Sequence, residues 1–581
     1  MNGLRAVDAQ QTGYQRRIAW LAVVLTTVGL VLLGRIVWWQ VVPHPEIGTL
    51  VPTGSETANI IAPARGNILD ANGQYLAAST VYYTLGVSPR LLDDSDRQEL
   101  IPILATLLNK SEAEMAEALS KEGVEYVLLG RNLPATIGQQ IEALERDGSL
   151  NMDAFRLEPT FGRVYPDGEL AAHVLGFMNL EGQAHYGLEQ YYDRLLRGVE
   201  GTWRGISDSW GEQILASLGG YQPARDGADL VLTIDRNVQY MAEQILREGV
   251  AENGAAAATM VVVDPRTGGL LAVANQPTYN PNTYGEAESQ ESYINQAITS
   301  LYEPGSTFKV FTLAAALQER VILPTDTYDD RGEIIVGNQK IQNSDKRAHG
   351  QTTMTELLAY SRNVGAAHVA SLLGATRFYE AMRRFGIGDV TRIDLALEQK
   401  GIMRVPTDLN WHMSDLGTNS YGQGIAVTPL QITMAYAAIA NDGVLMRPYV
   451  VSEVRQEGSV EVREPSAVRR VLSSEVAQQM TEMMADAVEM GMQKAMVPGY
   501  SMAGKSGTAG IPDAEGYKNR FVIASFVGFG PVPDPRFVIL VKYEKPQEGY
   551  WGVDVAAPTF ARMAEFLLDY YGIPPTQGLA E

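Results

Sequence analysis

Glu303-Pro304-Gly305-Ser306-Thr307-Phe308-Lys309 runs straight into Val310-Phe311-Thr312-Leu313-Ala314-Ala315-Ala316-Leu317. Pro304 and Gly305 break whatever precedes them, and the Ala/Leu-rich run that follows predicts a buried helix. Ser306 then falls in the first helical turn, with Lys309 one turn on along the same face. A hydroxyl and an amine held that close are a nucleophile and a candidate base, at a helix end whose dipole favours negative charge. The same residues also read as an N-cap serine beside a solvated lysine. No other S-x-x-K occurs in the chain, so the stretches around it decide between the two.

Downstream, Tyr360-Ser361-Arg362-Asn363-Val364 follows the helical Met354–Ala359. A hydroxyl next but one to a carboxamide could relay a proton and hold a peptide amide. The spacing alone does not discriminate, since Ser149-Leu150-Asn151 repeats it. Further on comes Ala503-Gly504-Lys505-Ser506-Gly507-Thr508-Ala509, the only K-[ST]-G in the chain. A fixed cation with two hydroxyls on a strand carrying Gly507 makes a carboxylate clamp, because glycine lets a ligand backbone approach closely. Gly499 to Ser506 also spells the phosphate-loop pattern G-x-x-x-x-G-K-[ST]. Such a loop needs a buried strand before it and a helix opening after Lys-Ser. Here Pro498 precedes and Gly507-Thr508-Ala509-Gly510-Ile511-Pro512 follows, which cannot open a helix.

With 581 residues the chain exceeds one ordinary core, so two or more folded domains are expected. A net charge of −22 argues against a nucleic-acid partner, because phosphate binding needs a basic face. Cysteine is absent, which removes disulfides, thiolate metal sites and thiol nucleophiles together. The six histidines (44, 173, 185, 349, 368 and 412) include no pair spaced as ligands on one helical face, so neither a metal nor another cofactor is expected. No G-x-S-x-G elbow accompanies any serine.

In chain order, residues 1–17 are polar and read as a cytoplasmic tail carrying Arg5, Arg16 and Arg17. Residues 18–42 form an apolar stretch whose Arg35 can snorkel and whose Trp38 and Trp39 suit a membrane interface, so a single transmembrane anchor is expected. A cleaved signal peptide is the competing reading, but no small-x-small site precedes Pro43. Residues 43–225 mix short strands and helices as a pedestal, with a hairpin turning at Asn72-Gly73 and helices over Leu92–Leu119 and Ala135–Arg146. From 226 to 572 the organisation changes. A hairpin of Met260–Val263 with Leu270–Ala274 and another of Phe521–Phe529 with Phe537–Tyr543 bracket helical segments over 306–320, 352–373, 375–385, 427–441 and 474–490. Ser459–Arg469 reads as a charged loop or hairpin. A last helix, Val555–Tyr571, should lie back on the sheet before a tail over 573–581. Strands at both ends with helices between them imply an α+β domain, with one antiparallel sheet closed by distant parts of the chain and packed between helices.

Ser306/Lys309, Ser361/Asn363 and Lys505–Thr508, in that order and approximate spacing, resemble the penicillin-recognising serine acyltransferases. Asp264-Pro265 with Gly268, Pro277-x-Tyr279-Asn280-Pro281 and Gly422–Gln431 look like class B penicillin-binding proteins. So do Arg65-Gly66-x-Ile68-x-Asp70-x-Asn72-Gly73, Arg163-x-Tyr165-Pro166 and Gly187-Leu188-Glu189-x-x-Tyr192. The resemblance covers nearly the whole chain. No glycosyltransferase domain precedes, which sets the bifunctional class aside, and the motif contexts look more like the division (septal, FtsI-type) branch than the elongation branch.

The resemblance implies a D,D-transpeptidase that cross-links peptidoglycan stem peptides ending in D-Ala-D-Ala. Ser306 would be the nucleophile and Lys309 its base, with desolvation and the Lys505 cation keeping that amine neutral. Ser361 would relay a proton to the departing D-Ala, and Asn363 would hold the peptide amide. Lys505, Ser506 and Thr508 would bind the terminal carboxylate, and backbone N–H groups of Ser306 and Thr508 would form the oxyanion hole. β-Lactams would stall at Ser306. The implied setting is the cytoplasmic membrane with the catalytic domain outside, beside a SEDS (FtsW-type) glycosyltransferase and other division proteins. A β-lactamase or β-lactam sensor and a non-catalytic division scaffold are the alternatives.

Overall fold

The computed structural model describes residues 4–41, 56–146, 153–206, 221–511 and 521–576. The chain divides into two compact units, one of residues 1–62 with 200–224 and one of 63–199 with 225–581. In the first unit the helix Leu4–Val41 precedes a small sheet, in which Glu56–Ile61 pairs antiparallel with Gly201–Ile206 and this with Tyr221–Gln222. Ala19–Ile36 is long and apolar enough to cross a membrane, with a mean hydropathy of 2.0. The two threonines in that run donate their hydroxyls to Ala22 O and Val23 O, each at 2.8 Å, so they present no unsatisfied donor. Val42, the expected end of the anchor, lies outside the described residues.

The second unit is built on a five-stranded antiparallel sheet in the order Leu270–Gln276, Ala257–Val263, Phe537–Glu544, Val522–Gly530, Ala503–Gly510. Both expected hairpins are present, and the register Val261↔Leu540 joins them. Every residue of Val522–Gly530 is buried. An antiparallel strand loses its polar alternation in this way only when both faces are covered. On one face Tyr543 and Phe526 meet the helix Gly552–Tyr570, through a 2.9 Å hydrogen bond to Thr559 and a ring contact with Phe560. On the other, Lys542 lies beneath the ring of Tyr302.

A second sheet crosses position 226. Its order is Ser459–Val462, Val451–Gln456, Asp229–Leu232, Ile68–Leu69, Tyr75–Val87, Val127–Pro134, with Phe155–Val164 also pairing with Tyr75–Val87. Ser459–Val462 is thus one strand of a hairpin joined to this sheet, and the expected turn at Asn72-Gly73 is there, with Gly73 at φ +80°. Below it, Glu189 is fully buried and gathers three of the sequence patterns. Arg65 Nε donates to its Oε2 at 2.7 Å, Arg163 Nε to its Oε1 at 2.6 Å, and the Tyr165 hydroxyl to Oε1 at 3.3 Å.

The expected helix over Leu92–Leu119 is two, Asp94–Leu107 and Glu112–Leu119, and two further helices depart from expectation. The span 352–373 is broken into Met354–Ala359 and Asn363–Leu373, because Ser361 takes a left-handed φ of +57°. The span 306–320 opens as a 3₁₀ turn, Gly305–Phe308, and becomes α-helical only over Lys309–Gln318. Both irregularities fall at the site.

Candidate active site

The turn carrying Ser306 is fixed from outside. Gly305 N donates to Gly422 O at 3.2 Å, and Gly424 N donates to the Glu303 carboxylate at 2.9 Å. Gly422 has φ +80°, and a Cβ there would come within 2.3 Å of Gly305 O, so only glycine allows this approach. From below, the buried Tyr436 hydroxyl donates to Thr307 O at 2.7 Å. Nothing in its apolar helix Pro429–Ala440 marked Tyr436 beforehand, apart from its being the single hydroxyl-bearing ring in that run.

Lys309 is completely buried, and its Nζ is the hub of the site. It lies 3.1 Å from Ser306 Oγ, 3.0 Å from Ser361 Oγ, 2.5 Å from Ser361 O and 2.8 Å from Asn363 Oδ1. The carbonyl and the carboxamide oxygen can only accept, so they take two N–H bonds from the amine. A neutral amine then has its lone pair left for a hydroxyl proton, whereas an ammonium would have a third N–H there instead. Burial holds Lys309 well below the ordinary lysine range, and the Lys505 and Arg362 cations push it further down. Among the described residues no carboxylate pairs with it.

The break at Ser361 is what brings this about. An unbroken helix would commit the Ser361 carbonyl to its own ladder; the left-handed residue instead turns that carbonyl and the hydroxyl onto Lys309. The new helix start is stabilised by residues that the sequence reading passed over. Asn343 Oδ1 accepts from Val364 N at 3.1 Å, and its amide nitrogen donates to both oxygens of buried Asp330 at 2.9 Å. Asn363 is engaged at both ends, through Oδ1 to Lys309 and through Nδ2 to Gln342 O at 3.1 Å.

Lys505, Ser506, Gly507 and Thr508 lie on the strand Ala503–Gly510, which packs against the Ser306 turn. Lys505 is fully buried, burial brings it down to about 7, and its Nζ donates to Ser506 O at 3.0 Å. Ser506 and Thr508 alternate with Lys505 and Gly507 in burial, as the two-residue period of a strand requires. Thr508 Oγ1 accepts from Gly552 N at 2.9 Å. The space that a Gly507 side chain would take is filled by Ser525 Oγ, Pro304 O and Thr307 Cγ2, so the protein itself, rather than a ligand, makes the close approach. The structure therefore brings all eight expected residues together on the nucleophile turn, the broken helix and the edge strand. Such an arrangement offers a serine hydroxyl for acyl transfer with an amine within reach of its proton.

Residues 258–565 match the penicillin binding protein transpeptidase domain, and residues 60–232 the penicillin-binding protein dimerisation domain. This chain belongs to the class B penicillin-binding proteins. It is 30% identical to stage V sporulation protein D of Bacillus subtilis, over 98% of this chain and 88% of that one. It is also 30% identical to the peptidoglycan D,D-transpeptidase FtsI of Escherichia coli, over 94% and 90% respectively. Among solved structures, penicillin binding protein 3 of Mycobacterium tuberculosis in complex with aztreonam superposes with a TM-score of 0.69 at 26% identity, covering 90% of this chain and 99% of that one.

Proposed function

We propose that this protein is a membrane-anchored peptidoglycan D,D-transpeptidase that cross-links stem peptides through an acyl-enzyme on Ser306, in the septal branch of its family. The observation that carries this is the buried Lys309 amine, 3.1 Å from Ser306 Oγ with its other contacts satisfied by acceptors.

Ser306 Oγ attacks the carbonyl of the penultimate D-Ala, and its proton passes to Lys309. The oxyanion is held by the N–H groups of Ser306 and Thr508. The C–N bond then breaks, with Ser361 relaying the proton to the departing D-Ala amine while Asn363 holds the peptide amide. Lys505, Ser506 and Thr508 bind the terminal carboxylate. An amine of a second stem peptide attacks the ester, forms the cross-link and returns the proton to Ser306. Penicillins enter as mimics of D-Ala-D-Ala, and the aztreonam complex of the mycobacterial relative supports that entry.

The apolar span Ala19–Ile36 supports a single anchor, with the basic N-terminal segment in the cytoplasm. The contexts of the Ser306, Ser361 and Gly422–Gln431 motifs support the septal branch over the elongation branch. A SEDS (FtsW-type) glycosyltransferase would then supply the glycan strands. Full-length protein in detergent, incubated with a labelled penicillin, is expected to carry a long-lived adduct on Ser306 by peptide mass spectrometry, absent in Ser306→Ala. Rapid turnover of the adduct would favour a β-lactamase. Absence of an adduct on folded protein would leave a scaffold.

A further inference from the structure

One charged side chain beside the site has no part in that scheme. Arg362 lies between Ser361 and Asn363, both of which contact Lys309 Nζ. Its side chain is only 14% exposed, its Nη1 donates to Asp345 Oδ2 at 2.8 Å, and its guanidinium sits over the Tyr360 ring at 5.4 Å. Its Nε is buried without a hydrogen-bond partner. This is a costly place for a guanidinium, and a solvated surface arginine would avoid it.

Asp345 is shared. The same Oδ2 lies 2.9 Å from His349 Nε2, while Oδ1 accepts from Arg347 N at 3.1 Å. The carboxylate is more than a third exposed, so water screens it more than it screens the guanidinium. Lys309 therefore lies in the field of two cations, Lys505 on the edge strand and, as the weaker, Arg362 at the helix break, while the one anion sits at the wet end of an ion pair. At low effective dielectric, a buried like charge acts on an amine more strongly than a screened opposite one.

We propose that Arg362, tethered by Asp345, is an electrostatic positioning residue that keeps Lys309 in the neutral form needed to take the Ser306 proton. Asp345 tempers that field and also holds the guanidinium in place. This rests on Ser306 and Lys309 acting as nucleophile and base.

The test is the rate of acylation of the full-length protein by a labelled penicillin as a function of pH. The acid limb of the wild type marks the loss of the neutral Lys309. Arg362→Gln removes a like charge, so the limb moves up. At a pH below the limb the rate falls on the order of tenfold for each unit of displacement, while the rate just above the limb is kept. Arg362→Lys restores the wild-type limb, and Asp345→Asn moves it down. His349→Gln leaves it in place, because the limb belongs to Lys309 and not to the imidazole sharing Asp345. A uniform loss at every pH in Arg362→Gln, failure of Arg362→Lys to restore the limb, or a limb that disappears in His349→Gln would each overturn the proposal. Failure of the underlying reading looks different: the wild type itself would then carry no adduct on Ser306.

Discussion

Two buried charge clusters in this protein are built on opposite principles. Around Glu189, two guanidiniums and a tyrosine hydroxyl converge on one carboxylate, and Arg65 also pairs with Asp193 at 2.8 Å, so two cations meet two anions where water is largely excluded. Around Lys309, two lysines and an arginine are brought together with no carboxylate on the central amine among the described residues. The first arrangement resists disruption, because removal of one partner strands the others. The second uses folding energy to lower an amine well below the ordinary lysine range, as the proposed base requires. Balanced burial holds the frame together, and unbalanced burial creates reactivity.

That contrast can be broken from either side. The largest effect is expected from Lys309→Met: acylation by a labelled penicillin should fall on the order of a thousandfold. Urea unfolding of the same variant should show stability little changed, since the cost of burying an amine without a carboxylate has gone while the Ser361 and Asn363 oxygens have lost a donor. Glu189→Gln should do the reverse. It should cost about 3–5 kcal/mol by leaving the buried Arg163 guanidinium without a carboxylate and Arg65 with Asp193 alone, while folded molecules keep their acylation rate. If Lys309→Met proved as destabilising as Glu189→Gln, the contrast would fail.

Smaller effects sharpen it. Gly507→Ala would place a methyl 2.6 Å from Ser525 Oγ and 2.9 Å from Pro304 O, pushing the edge strand off the nucleophile turn. A displacement of that kind should lower acylation on the order of a hundredfold with little change in penicillin selectivity. Lys505 supplies a pH signature. Its amine is brought to about 7 in the folded protein against 10.5 when free, so between those values the unfolded chain binds more protons. Stability should therefore rise with pH across that window, the cost being fully present below about 7 and relieved towards 10.5. Urea midpoints should show a steeper slope in the wild type than in Lys505→Met, where only the share of Lys309 remains. Tyr436→Phe should cost about 1 kcal/mol and slow acylation slightly, by loosening the Thr307 carbonyl.

Much of the site could be read before the fold was known, because its chemistry is local. Ser306 and Lys309 share a helical face by spacing alone, and Lys505–Thr508 alternate as a strand does. The broken helix at Ser361 was not legible: Met354–Leu373 has helical composition throughout, yet the first helix closes in a Schellman-type cap, with Arg362 N on Leu357 O at 3.0 Å and Ser361 N on Leu358 O at 3.3 Å, around a left-handed residue that is not glycine. Gly507 was assigned to ligand approach when the atoms it admits are the protein's own. Asn343 and Asp330 passed unnoticed, and Arg362 was quoted within its motif but given no role, since isolated polar residues have no periodicity to betray them.

By itself, then, the amino-acid sequence determined the elements and their chemistry: the apolar run of the N-terminal helix, the two hairpins, the nucleophile turn and the hydroxyl–amine spacings. These follow from interactions within a few residues, which composition and period record. Tertiary structure alone decided which distant strands pair, as Ala257–Val263 does with Phe537–Glu544, and that one sheet continues across position 226. It also decided which charges meet a partner in burial and which do not. Those outcomes depend on burial and on long-range electrostatics, and neither exists until the chain has closed around them.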